Sequence, residues 1–129
     1  MRHSKAKGWE KRLKGVFDQI DAELETAYGD RFDRHPARSP EGATSNPEMD
    51  GLFNVGASYS AGFGSRFGPG YVVDIRLSTL QRIPKALKFE LRDKVQVLLV
   101  EKLPAAFPDK QLHVDQERSH LRIHGDLSL

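Results

Sequence analysis

The apolar residues of this chain change their spacing three times, and each change restricts what the backbone around it can be. Trp9, Leu13, Val16, Phe17, Ile20, Leu24 and Tyr28 recur at three- and four-residue intervals, which places them on one stripe of a helix over 9–28. Gly29 is placed to end that helix, because a glycine there adopts the left-handed conformation without a Cβ clash. From Phe53 the period becomes two. Phe53, Val55, Ala57, Tyr59, Ala61 and Phe63 point one way, while Asn54, Gly56, Ser58, Ser60, Gly62 and Gly64 point the other. Residues 65–70 (SRFGPG) are strong turn chemistry. Tyr71, Val73, Ile75 and Leu77 then resume the alternation, so a hairpin is expected, with an irregular glycine loop before a single strand as the alternative.

The helical spacing returns after Pro84, a residue suited to a first helical turn, with Leu87, Leu91, Val95, Leu98 and Leu99 as the stripe. Pro104 is expected to stop this helix near Leu103. Two short alternating runs follow, 112–117 and 120–127. If Arg118 and Ser119 form a two-residue turn, opposed residues lie symmetrically about it. Val114 then sits beside Ile123 and Gln116 beside Leu121, while the other face opposes Asp115 to Arg122, Glu117 to His120 and His113 to His124. Opposite charges fall opposite each other, which supports that register. The order helix-strand-strand-helix-strand-strand predicts an α+β fold: a small antiparallel or mixed sheet with two helices packed on one face. This order does not fit a double-stranded RNA-binding domain, and the GXXG loop of a KH domain is missing.

Composition sets the outer limits. The 129 residues suit one domain, and their 38% hydrophobic content is low enough to leave part of the chain outside the core. Residues 30–51, interrupted by Pro36, Pro40 and Pro47, read as a mobile Pro/Gly-rich insert in a domain over 9–129. There are no cysteines, so disulfides and Cys-based zinc ribbons are excluded. No signal peptide or membrane span is legible, which points to the cytoplasm. The net charge of +2 hides an asymmetry: six cations against Glu10 give residues 1–14 a charge of +5, and the remainder −3. Residues 1–8 read as a basic, frayed arm. Within the first helix the charges oppose the macrodipole, with cations early and Asp18, Asp21, Glu23 and Glu25 late. Something other than helix stability sets that pattern.

Three features carry candidate chemistry. The glycine-aromatic segment offers Tyr59, Phe63, Phe67 and Tyr71 for stacking with Arg66 nearby, although alternation accounts for most of those aromatics as core. It lacks the third glycine of a dinucleotide fingerprint, a Walker lysine and the second glycine of a hydrolase elbow. The polar face gathers His113, Asp115, Glu117, His120, Arg122, His124 and Asp126. His113 and His124, with Asp115 and Asp126, are the residues that could share a divalent metal or stage acid-base chemistry; solvated cross-strand ion pairs are the plainer reading. Lys5, Lys7, Lys11, Arg12 and Lys14, with Arg66, are the candidate contacts to phosphate.

With no catalytic motif, the leading expectation is a small non-enzymatic binding or adaptor protein, acting through self-association or a protein partner and needing no cofactor. Sequence-independent nucleic-acid binding through the basic arm is the alternative, and a metal-dependent or acid-base hydrolase on the polar face is the second.

Overall fold

A computed structural model describes residues 2–31 and 51–127, with side chains from Gly8 onward in the first helix; the predicted insert lies almost wholly outside the described residues. Two helices and four antiparallel strands follow in the predicted order: α1 (Arg2–Tyr28), β1 (Phe53–Ser60), β2 (Gly70–Leu77), α2 (Lys85–Ala106), β3 (Leu112–Glu117) and β4 (His120–Gly125). The strands lie in the order β1-β2-β4-β3. Each half of the chain is therefore a helix followed by a hairpin, and the halves meet where β2 and β4 pair antiparallel from Gly70↔His124 to Val73↔Leu121.

Both helices cover one face of the sheet. Val55, Val73, Tyr71, Val114, Leu121 and Ile123 rise from the strands into a core that α1 fills with Trp9, Leu13, Phe17, Ile20 and Leu24, and α2 with Leu91, Val95, Leu98, Leu99 and Leu103. Trp9 stacks on Phe107 with ring centroids 4.2 Å apart and on Tyr71 at 5.9 Å, joining α1 to the end of α2 and to β2. Each fully buried aliphatic side chain here is worth about 2 kcal/mol over an exposed one.

The β3–β4 register follows the expected pairing throughout, including His113↔His124, Asp115↔Arg122 and Glu117↔His120. Residues 53–60 pair with 70–77 as a hairpin. Three local expectations need correction. Gly29 ends α1, donating its N–H to the Glu25 carbonyl at 2.9 Å, but without the left-handed conformation. A Cβ at that position would stand 2.4 Å from the same carbonyl oxygen, so close approach is what the glycine permits. Pro104 does not stop α2, which runs on to Ala106. The proline forfeits only the bond to the Val100 carbonyl, on an exposed turn, and the Phe107 N–H closes onto Leu103 at 2.8 Å. Finally, β1 stops at Ser60, so Phe63 leaves the core side and is 95% exposed.

Candidate functional site

The face of the sheet turned away from the helices is partly roofed. Residues 61–69, which join β1 to β2, fold back over β3 and β4 instead of extending into solvent. Gly62 makes the fold-back feasible: its φ is +95°, and a Cβ there would lie 2.4 Å from the Gly68 carbonyl carbon. Beneath this loop Arg122 is buried. Its Nε donates to Glu117 Oε1 at 3.0 Å, one terminal nitrogen to the Gly68 carbonyl at 3.1 Å and the other to Ser60 Oγ at 3.3 Å. Ser65 Oγ donates to the second Glu117 oxygen at 2.9 Å. Desolvation works against the Glu117 charge. The hydrogen bonds from Ser65 and Arg122, the Arg122 charge and the Arg66 backbone N–H outweigh it, holding the carboxyl below the usual glutamate range.

A second cluster stands beside the first. His124 Nε2 and Asp115 Oδ2 are 2.6 Å apart, and Phe67 stacks on the His124 ring at 4.7 Å. The His113 ring is tilted against His124, centroids 5.4 Å apart. The structure thus brings His113, Asp115 and His124 together, while Asp126 lies 4.0 Å from Lys110 Nζ. Among the described residues no three His, Asp or Glu side chains are arranged to hold a metal ion. On this face the 61–69 loop is joined to β4 through Arg122 and His124 and to β3 through Glu117.

The candidate phosphate contacts are dispersed. The side chains of Lys5 and Lys7 lie outside the description. Lys11, Arg12 and Lys14 are exposed on α1, with Arg12 over the Phe107 ring at 5.6 Å and Lys14 3.8 Å from Asp18. Arg66 stacks on Phe67 at 5.0 Å, within the loop over the opposite face of the sheet.

The residues that sequence reasoning missed lie along the free edge of β1. Val55 donates its N–H to Asp21 Oδ1 at 2.8 Å, and Phe53 donates to Glu25 Oε1 at 2.9 Å, with Leu52 on the same oxygen. Four residues of helix rise about 6 Å, close to the length of two residues of strand. Carboxylates at i and i+4 of α1 therefore meet alternate, outward-facing N–H groups of β1. The same step carried on along α1 arrives at Phe17 and Leu13, which accept no hydrogen bond. By alternation the N–H groups of Ala57 and Tyr59 also point outward, and among the described residues nothing bonds them. Beside them lies a groove of about 300 Å³ lined by Leu13, Phe17, Val55, Ala57 and Tyr71, with Glu10, Lys14 and Asp18 at its margins. Tyr59 is 52% exposed at its end.

This arrangement accounts for the reversed charges of α1. Asp21 and Glu25 serve the edge of β1, Glu23 binds Lys102 of α2 at 2.9 Å, and Asp18 pairs with Lys14. The clustering of acids at the wrong end of a helix was the one signal in the sequence that pointed here.

A protein-family model described as "Uncharacterised protein" matches residues 4–125. An "Uncharacterized protein" of Borreliella burgdorferi strain B31 is 31% identical over 125 residues, covering 97% of this chain and 98% of that protein. No solved structure is significantly similar. Among the described residues no helix is long and apolar enough to cross a membrane.

Proposed function

We propose that this chain, which belongs to the family of uncharacterised proteins matched over residues 4–125, is a non-enzymatic binding module that adds an extended segment of a partner protein to the open half of β1. The observation behind this reading is the half-closed edge. Asp21 and Glu25 satisfy the first outward N–H groups of β1, whereas Phe17 and Leu13 leave those of Ala57 and Tyr59 to a ligand. Unpaired strand groups beside an apolar groove suit strand addition, in which main-chain hydrogen bonds supply affinity and alternate side chains enter the groove. A side chain reaching between Leu13, Phe17 and Tyr71 would be apolar, and the mixed charges of Glu10, Lys14 and Asp18 select no strong net charge.

A partner segment fits this edge better than a second copy does. Pairing β1 with another β1 would bring two strands to about 4.8 Å, each carrying its own α1, while packed helices need roughly 8–10 Å. Nucleic-acid binding gains less support, since Lys11, Arg12 and Lys14 stand on the other side of the sheet from Arg66.

Photo-crosslinking from Tyr59 in the producing cells, followed by synthesis and titration of the captured segment, tests the reading. The segment is expected to slow amide exchange at Ala57 and Tyr59, and Ala57→Pro, which removes only an outward N–H, is expected to abolish binding with the fold retained. Binding unaffected by Ala57→Pro would sink the strand-addition mechanism, and a crosslink to a second copy would reassign the edge to self-association.

A further inference from the structure

The two central strands do not end together. Pairing of β2 with β4 stops at Val73↔Leu121, yet β2 continues to Leu77 with only β1 beside it. Tyr71 and Val73 present their N–H and C=O groups to β4, so by alternation Ile75 presents its own to the notch where β4 has ended. No bond from another described residue reaches them. A hollow of about 330 Å³ fills this notch, at the small end of the range for small-molecule sites. Its floor is apolar: Ile75, Leu77, Ile83, Leu91 and Leu121.

Two cations stand beside that floor. Lys88 and Arg92, one turn apart on α2, both line the hollow, and neither has a carboxylate partner among the described residues. Arg92 is held over the Phe89 ring at 5.2 Å, which limits where its guanidinium goes. His120 borders the hollow at the start of β4, but its Nε2 is buried on the far face of the sheet, 3.9 Å from Glu117 Oε1. Asp74 is the one acidic residue in the lining. Apolar walls, an idle backbone N–H and two unpaired cations together complement a ligand with a hydrocarbon body and an anionic head.

We propose that the notch between β2, the start of α2 and the β3–β4 turn binds a small amphipathic carboxylate. Its chain lies on Ile75, Leu77, Leu91 and Leu121, and its head sits between Lys88 and Arg92. This site is separate from the β1 edge and stands or falls independently of strand addition there.

The test is a methyl and amide NMR titration of the full chain with octanoate, with octylammonium as the charge-reversed control. Saturable shifts are expected at Ile75, Leu77, Ile83, Leu91 and Leu121, with octylammonium binding at least tenfold more weakly. Replacing both cations (Lys88→Gln with Arg92→Gln) should weaken octanoate about tenfold and erase the preference, with the remaining spectrum unchanged. Non-saturating shifts, equal affinity for the two probes, or undiminished octanoate affinity in the double variant would each overturn the proposal.

Discussion

The two halves of the molecule share a plan, a helix laid along a hairpin with one edge strand each, and differ in how the edge is closed. In the first half α1 offers carboxylates to N–H groups: Asp21 to Val55, Glu25 to Phe53. In the second half α2 offers an amide to a carbonyl: Gln96 Nε2 donates to the Val114 oxygen at 2.7 Å, and Gln116 of β3 returns a bond to Gln96 Oε1 at 3.0 Å. Buried N–H groups are rarely left unpaired, while carbonyls tolerate partial satisfaction. The first edge is accordingly fastened by charged hydrogen bonds where it is closed, and it is simply unserved beyond Val55. The hairpins differ as well. Arg118 and Ser119 close β3–β4 in two residues, with Arg118 at φ 59°, whereas 61–69 is long enough to cross the sheet and bind the other hairpin. A short turn fixes register, and a long one carries side chains elsewhere.

Removing the bridge between the halves should have the largest effect. Arg122→Ala strips hydrogen bonds from Glu117, Ser60 and the Gly68 carbonyl in a buried setting, and a loss of about 3 kcal/mol is expected in urea unfolding. Amide exchange should rise across 61–69 and leave the β3–β4 turn region slow. Equal exchange in both hairpins would show that the loop is not held through Arg122.

The two edge closures should separate next. Asp21→Ala orphans the buried Val55 N–H and should cost about 2 kcal/mol, with Asp21→Asn recovering much of it through the amide oxygen. Gln96→Ala leaves the Val114 carbonyl short of a partner, while the exposed Gln116 amide that loses Gln96 Oε1 keeps Asp93, and it should cost about 1 kcal/mol or less. Equal losses would remove the distinction drawn between N–H and C=O edges.

The smallest effect is one of pH. Glu117 titrates lower in the folded chain than in the unfolded one, so its contribution is complete above the ordinary glutamate range. It is lost as the pH falls from that range through the depressed value of the folded state. Glu117→Gln should therefore flatten the acid limb of stability against pH while leaving its neutral-to-alkaline slope alone. A variant that parallels the parent from pH 5 to pH 3 would deny Glu117 that role.

Element order, the helix stripes and the β3–β4 register were all legible in residue spacing, because the side-chain period of each backbone form is a local property. Those alternations placed His113, Asp115, Glu117, Arg122 and His124 on one face with no knowledge of the fold. Local pattern could not say where β1 ends. Its alternation runs on to Phe63, and the strand stops at Ser60 because β2 begins at Gly70 and the residues between turn toward Arg122. Nor could it say that Phe67 stacks on His124 across the sheet, or that β4 ends short of β2 and opens a notch at Ile75. Contacts of that kind depend on residues dozens of positions apart meeting under one packing arrangement. The acids of α1 stand between the two cases: the sequence alone determined that their placement opposed the helix dipole, and only the tertiary structure, by laying α1 along an unpaired strand edge, decided that Asp21 and Glu25 would bind backbone N–H groups 28 to 34 residues away.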